Sequence, residues 1–163
     1  SMGSRMVLPR TGVLMNNGVF WFDPRPGLPN SIAPRKRALC NMSPVIVTRD
    51  GRAEIGAGAS GGRPILAAVL QVLLYMLEFG MDPAKAAHHP RIDVSGESGV
   101  SADPRLPADV LAALRARFDA QEAEHTVMPV NYACPNLIAI APDGTRTGIS
   151  DVVSPWSAAV AQA

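Results

Sequence analysis

The pattern of apolar and polar positions predicts short β-strands at both ends of the chain. β-branched runs and alternating residues, separated by turn-forming residues, are typical of strands. The predicted strands are residues 5–8, 12–15, 43–48, 53–57, 126–130, 137–141 and 145–149, with turns at 49–51 and 142–144. The arms of the central hairpin hold few polar side chains, so we expect them to be buried on both faces.

Three helices are predicted between these strands. The first covers residues 64–79 and is apolar all round, which is typical of a helix buried on several sides, and Gly80 ends it. Residues 82–83 supply the cap and first turn of a short second helix, which ends at 88–90. The third covers residues 107–119. This order of elements favours an α+β fold with helices layered on a largely antiparallel sheet.

Composition then excludes several classes of protein. Of 163 residues, 47% are hydrophobic and 18% charged, which is too apolar for an intrinsically disordered chain. A net charge of +1 gives no electrostatic footprint for nucleic acid. The most apolar run, residues 65–77, is too short to span a bilayer, and no secretory signal is visible. We expect a soluble chain, with the cytoplasm favoured, and no nucleic-acid or membrane partner.

Length and proline content bear on domain organisation. The length suits a single domain over residues 3–163, and Ser1 and Met2 look like residues added in cloning. Four prolines lie in residues 23–37 and predict an extended surface loop, because proline fixes φ and restricts the residue before it. A loop of this length usually serves as a functional lid or a linker.

Cysteine and histidine spacing does not predict a metal site. Cys40 and Cys134 form no C-x-x-C motif and have no nearby histidine at zinc spacing, which favours buried free thiols over a disulfide. The adjacent side chains of His88 and His89 point to different sides, which favours packing at a helix end over chelation of one metal. We therefore expect neither a metal nor a cofactor.

Three other motifs have a functional and a structural interpretation. The glycine-rich turn at residues 58–62 could direct backbone N–H groups at an anion, but it lacks Walker A and G-x-G-x-x-G features, so residue types alone favour a tight turn. Residues 40–44 contain a cysteine and a serine, yet no motif supplies a base to activate either. The aromatic run at residues 20–22 favours core or subunit-interface packing over a ligand wall. Residues 35–37 are a solvated basic run.

Taken in order, the motifs resemble the small subunit of gamma-glutamyltransferases. The matching pieces are GVLMNN at 12–17, PGLPN at 26–30, RKRAL at 35–39, MSP at 42–44, DG at 50–51, G-x-x-GG at 58–62, LQVL at 70–73 and AHHPR at 87–91. The resemblance implies an N-terminal-nucleophile hydrolase fold, an αββα sandwich of two sheets between helix layers. It also implies a precursor that cuts itself into a large and a small subunit. The small subunit's new N-terminal Thr is then the nucleophile, with its own amine as base.

The resemblance assigns a catalytic role to the glycine turn. Gly61 and Gly62 match the paired glycines whose backbone forms the oxyanion hole. The matching nucleophile segment lies upstream of the residues matched here, and neither Ser1 nor the internal Thr11 and Thr48 replaces it. We therefore expect a small subunit lacking its first strands and, by itself, inactive.

The resemblance also places five candidate substrate-binding residues, namely Asn17, Gly18, Trp21, Cys40 and Asn41. Cys40 and Asn41 stand where the transferases carry two serines that bind the glutamyl α-carboxylate. Gly18 stands at a glutamine position, and Trp21 stands where an aspartate binds the α-ammonium group. An indole removes the charge partner that an ammonium needs.

These departures shift the expected substrate. Residues 17–27 look like the branch of the superfamily that includes oxamate amidohydrolase, so we expect hydrolysis of a small acidic amide. Two alternatives stay open: a fragment of a true gamma-glutamyltransferase acting on glutathione-like donors, and a non-catalytic remnant that serves as an interaction domain. The expected partners are the large subunit of the same precursor and a small amide substrate. Formation of a homo-oligomer is a further way to cover strand edges left unpaired.

Overall fold

The structure, a computed structural model, describes residues 3–96, 99–127, 131–155 and 157–160. The chain divides into two compact units, residues 1–40 and residues 41–163. Ser1 and Met2, interpreted as added residues, lie outside the described ones. A single domain over residues 3–163 stays a prediction.

The first unit consists mainly of turns. The two β-prone pieces predicted near its start pair through an antiparallel bridge between Val7 and Leu14, which the hydrogen bond from Met15 N to Met6 O (2.8 Å) extends. One turn of 3-10 helix follows at Gly18–Trp21. Residues 23–37 form a loop, as predicted, but its bends and turns and the bridge between Asp23 and Ser31 fold it back on itself, so the predicted extended conformation is wrong.

The second unit contains the regular elements, and their order confirms the α+β class. In chain order they are β1 Val45–Arg49, β2 Arg52–Ser60, α1 Ile65–Leu77, α2 Pro83–His88, β3 Ile92–Asp93, β4 Val100–Ala102, α3 Ala108–Arg117, β5 Ala120–Glu122, β6 Cys134–Ile140 and β7 Arg146–Ser150. None of these described helices is long and apolar enough to cross a membrane.

The main sheet has four strands in the order β1-β2-β6-β7, and every neighbouring pair is antiparallel. The predicted central hairpin is confirmed, with φ of 49° at Asp50 and 78° at Gly51. Positive φ at both residues is the geometry of a two-residue hairpin turn that follows the twist of the strands. The predicted burial of both arms is wrong, because β1 is an edge strand and Ile46 is 72% exposed.

Helix α1 packs one face on this sheet. Ala68, Val69 and Val72 are buried there, and the core continues through Leu137 and Ile149 of β6 and β7. The opposite face is exposed at Leu66, Leu70, Leu74 and Leu77. Burial of α1 on several sides is therefore a wrong prediction for this chain, because no other described element covers that face.

A second sheet, in the order β3-β4-β5, was not predicted. Its strands have only two or three residues, too few to show an alternation of apolar and polar side chains. Strands β4 and β5 are parallel, and α3 connects them in the chain. The strand predicted at residues 126–130 is wrong at Thr126 and Val127, which lie outside any strand. Its last three positions, residues 128–130, lie outside the described residues.

Candidate active site

Two consecutive glycines join β2 to α1 in a backbone conformation that side chains resist. Gly61 has φ 137° and Gly62 has φ 80°. A Cβ at Gly61 would stand 2.7 Å from the Cα of Ala133, closer than real Cβ contacts come. Gly62 has open space around it, so only its φ calls for glycine. The turn therefore presents successive N–H groups at a strand-to-helix junction, an arrangement suited to holding an anion.

Asn41 contacts this turn from the start of the second unit. Its side-chain Nδ2 donates a hydrogen bond to the carbonyl of Gly62. Its Oδ1 is buried and accepts no hydrogen bond from the residues described. Asn41 thus stabilises the turn and leaves one amide oxygen available to a donor.

A small cavity lies beside the turn. Its volume is about 180 Å³. Its lining consists of Ser60, Gly61, Thr126, Val127, Cys134, Val153 and Ser154. Pockets for drug-sized ligands usually measure about 300–1,000 Å³, so this cavity suits a small molecule.

A buried ion pair supports the wall opposite Gly61. Arg91 and Asp151, whose side chains are 2% and 1% exposed, lie 3.3 Å apart. Arg91 also donates to the carbonyls of Ala87 (2.8 Å) and Ala133 (3.2 Å). Because Ala133 is the residue that crowds Gly61, the ion pair holds the backbone that makes glycine necessary in the turn.

His125, Cys134 and Asp151 meet next to this ion pair. One ligand atom from each lies within 4.8 Å of the others, and no other group of this kind occurs among the described residues. Burial lowers the pKa of His125, and the nearby Asp151 carboxylate only partly offsets this. Burial also raises the pKa of the Cys134 thiol. The group therefore offers a neutral imidazole, a thiol and a carboxylate.

Three of the predicted substrate-binding residues lie in one short segment of the first unit. Asn17 precedes the 3-10 helix and makes no side-chain cap to it, while the N–H of Gly18 is held by Asn16 Oδ1 at 2.8 Å. Trp21 is half-buried, with its ring edge-on to that of Phe20 at 6.1 Å. Phe20 is 73% exposed, so core packing of the aromatic run is wrong at that position.

The cysteine prediction is confirmed in part. Cys40 and Cys134 are both free, as expected. Cys40 is exposed, so its predicted burial is wrong: it ends the mostly irregular first unit rather than entering a sheet. Among the seven predicted site residues, the structure brings together Asn41, Gly61 and Gly62 in the second unit.

The remaining polar motifs behave as expected. The ring of His88 contacts the Ser150 carbonyl at 3.1 Å, and the ring of His89 lies 4.6 Å from that of Tyr75. Packing at a helix end is thus confirmed for both, and the basic run at residues 35–37 is exposed. The group of His125, Cys134 and Asp151 was not predicted, because the three residues lie in separate segments and their spacing in the sequence does not indicate that they come into contact.

Comparison with known proteins identifies the family. The family model described as Gamma-glutamyltranspeptidase matches residues 1–161. The chain is 33% identical over 150 residues to a glutathione hydrolase proenzyme of Bacillus subtilis, covering 91% of this chain and 25% of that protein. It is 33% identical over 148 residues to the acylase ACY 1 proenzyme of a Pseudomonas species, covering 90% of this chain and 25% of that protein.

Solved structures agree with the sequence comparison. Gamma-glutamyltranspeptidase from Pseudomonas nitroreducens, complexed with L-DON, superposes with a TM-score of 0.71 at 26% identity, covering 99% of this chain and 88% of that one. This confirms the expected N-terminal-nucleophile hydrolase fold. The chain spans about a quarter of the length of the curated relatives above. It belongs to the gamma-glutamyltranspeptidase family.

Proposed function

We propose that this chain is part of the small subunit of an amidase that cleaves its substrate through an N-terminal Thr acyl-enzyme. The observation that carries the proposal is the Gly61-Gly62 turn, with positive φ at both residues and a small cavity beside it. Membership of a family whose relatives include hydrolase and acylase proenzymes supports the same reaction class. The Thr itself would come from a part of the protein outside these 163 residues.

In this mechanism the turn acts on charge that develops during the reaction. The Thr hydroxyl oxygen attacks the amide carbon while the Thr amine takes the hydroxyl proton. The carbonyl oxygen gains negative charge, which the N–H groups of Gly61 and Gly62 stabilise. The amine passes the proton to the leaving nitrogen, and water then hydrolyses the ester. Asn41 acts by holding the Gly62 carbonyl, which keeps the turn in place.

The proposed substrate is a small acidic amide such as oxamate. A glutamyl head group carries an α-ammonium that needs a carboxylate, and Trp21 supplies none. The carboxylate nearest in sequence, Asp23, is already engaged by Arg25 through hydrogen bonds of 3.0 and 2.8 Å. These bonds lower the pKa of Asp23 to about 2. Asn17, Gly18, Trp21, Cys40 and Asn41 each stay a predicted substrate-binding residue.

The exposed apolar stripe of α1 supports a partner subunit. Leu66, Leu70, Leu74 and Leu77 recur every three or four residues, so they share one helix face, and each is at least 40% exposed. A water-exposed stripe of this kind marks a surface that another protein element covers. We propose the large subunit of the same precursor as that element. Self-association of the chain stays a prediction.

The test uses the full-length precursor, with oxamate and a γ-glutamyl anilide as substrates. We expect oxamate to be hydrolysed and the anilide to be turned over poorly. Gly62→Ala keeps the backbone N–H but strains the turn at φ 80°, so this N–H should move away from the oxyanion. We expect kcat to fall at least tenfold with little change in KM, since one oxyanion donor is worth about 10²–10³ in kcat. The matched control is Gly80→Ala, since Gly80 also has positive φ (62°) and open space but ends α1 away from the turn.

Each outcome distinguishes the candidate functions. Rapid turnover of the anilide would support the glutamyl-transfer alternative, which the similarity to a glutathione hydrolase proenzyme favours. A precursor that neither processes itself nor hydrolyses either substrate would support a non-catalytic interaction domain. Equal loss of kcat in Gly62→Ala and Gly80→Ala would contradict the role of the turn.

A further inference from the structure

We propose that His125, Cys134 and Asp151 form a binding site for a divalent cation of the zinc type. The site lies in the second unit, beneath the wall of the cavity next to the glycine turn. It is independent of the proposed amide hydrolysis, which needs no metal.

The donor set matches the chemistry of zinc. Zinc in proteins is bound by thiolate sulfur, imidazole nitrogen and carboxylate oxygen, usually in a tetrahedral arrangement. The three residues offer one of each, with their ligand atoms already within 4.8 Å of one another. Bond lengths of about 2.0–2.3 Å place two ligands of one tetrahedral zinc roughly 3.3–3.7 Å apart. Nε2 of His125 and Oδ1 of Asp151 already stand at 3.6 Å.

The unpartnered nitrogen of His125 is the second observation. The His125 side chain is 6% exposed, and its buried Nε2 has no hydrogen-bond partner among the residues described. A buried polar atom without a partner costs about 1–3 kcal/mol, so such atoms call for an explanation. A cation between His125, Asp151 and Cys134 would give this nitrogen a ligand bond.

Neighbouring groups suit the carboxylate to this role. Arg91 donates to Oδ2 of Asp151, while Val153 N donates to Oδ1 at 2.8 Å. An ionised carboxylate has about four lone-pair positions, so Oδ1 keeps one for a metal. Ligating carboxylates in metal sites are themselves usually hydrogen-bonded, which orients them. A thiolate and a carboxylate supply two negative charges, but the Asp151 carboxylate is shared with the buried Arg91, so the loaded site keeps a net positive charge.

The cavity would give the cation a route to the site and hold a water molecule as its fourth ligand. Cys134 lines both the cavity and the cation site, and the volume of about 180 Å³ admits water. Three protein ligands and one water are the usual set for an open zinc site. Binding forms the bond from sulfur to metal and releases the thiol proton to solvent.

The test titrates the full 163-residue chain with Zn²⁺ alone and with Co²⁺ as a spectroscopic probe. We expect one equivalent of Zn²⁺ to bind and to raise the melting temperature. Co²⁺ should give a thiolate-to-metal absorption band in the near ultraviolet. Cys134→Ser should abolish the band. His125→Gln should weaken Zn²⁺ affinity at least about tenfold, because the loss of a residue that only hydrogen-bonds a metal ligand already weakens affinity by about that factor.

Cys40→Ser is the matched control, because Cys40 is the other free thiol and lies exposed in the first unit. It should keep the band, the stoichiometry and the shift in melting temperature. Three results would each overturn the proposal: no saturable binding of one equivalent, undiminished binding by either site variant, or a band lost with Cys40→Ser.

Discussion

Replacing Gly61 by alanine tests the packing behind the candidate active site. The new Cβ would meet two atoms of Ala133, its Cα at 2.7 Å and its Cβ at 3.1 Å. Neither atom can move easily, because Ala133 is fully buried and its carbonyl accepts a hydrogen bond from Arg91. Either the turn or the Ala133 segment must shift.

The expected loss of stability has two parts. Placing an L-residue at positive φ costs about 1–2 kcal/mol. Forcing a methyl group into packed backbone costs about 1–3 kcal/mol more. Gly62→Ala pays only the first part, because its Cβ meets nothing within 4 Å. Both variants gain equally from the stiffer unfolded chain, so this effect cancels between them.

Urea unfolding followed by circular dichroism measures the difference. With a slope of about 2 kcal/mol per M, Gly61→Ala should unfold roughly 1–2.5 M earlier than the wild-type chain. Gly62→Ala should unfold less than about 1 M earlier. Equal midpoints for the two variants would refute the close approach of Gly61 to Ala133.

Three further predictions concern charge and the exposed face. Arg91→Met should lower the free energy of unfolding by about 3–5 kcal/mol, measured by urea titration, because it leaves the buried Asp151 carboxylate unpaired; a loss below about 1 kcal/mol would contradict the ion pair. Burial by itself raises the pKa of Asp103, but hydrogen bonds from Arg105 outweigh it and hold the pKa below its ordinary value. The stability that this pair contributes is therefore present above the unfolded-state pKa and lost as pH falls through the folded-state pKa. Thermal unfolding from pH 7 to 2 should show this loss, and Asp103→Asn should flatten the curve in that range. Leu70→Asp should lower the stability of the chain by about 1 kcal/mol, since Asp is a poorer helix former than Leu, and weaken co-purification with the large subunit of the precursor. Undiminished co-purification would contradict the proposed interface.

The sequence alone determined the local elements that depend on local chemistry. The turn around Asp50 and Gly51 could be predicted, because few residues other than Asn, Asp and Gly adopt positive φ at both positions. The cap of α2 could be predicted for a similar reason, since Asp82 accepts from the backbone N–H groups of Ala84 and Lys85. The family, too, could be recognised, because it rests on the order of short motifs along the chain.

Burial could not be read from the same residues. Apolar side chains predicted buried strands and a buried helix, yet Ile46 and Leu66 face solvent. The reason is that hydrophobic periodicity shows which face of a helix or strand is apolar, while the tertiary structure decides whether another element of this chain covers that face. An apolar helix that a second subunit covers has the same pattern as one covered within its own chain.

The tertiary structure alone decided which residues far apart in sequence come into contact. Gly61 faces Ala133 because β2 pairs with β6, and the positive φ at Gly61 matters for packing only through that contact. Cys134 and Asp151 come together because β6 and β7 pair antiparallel, which places the start of β6 beside the end of β7, while His125 joins them from the segment that follows β5. Local spacing determines turns and caps, since their bonds span a few residues. Strand pairing determines which distant atoms meet, and the candidate cation site depends on that pairing.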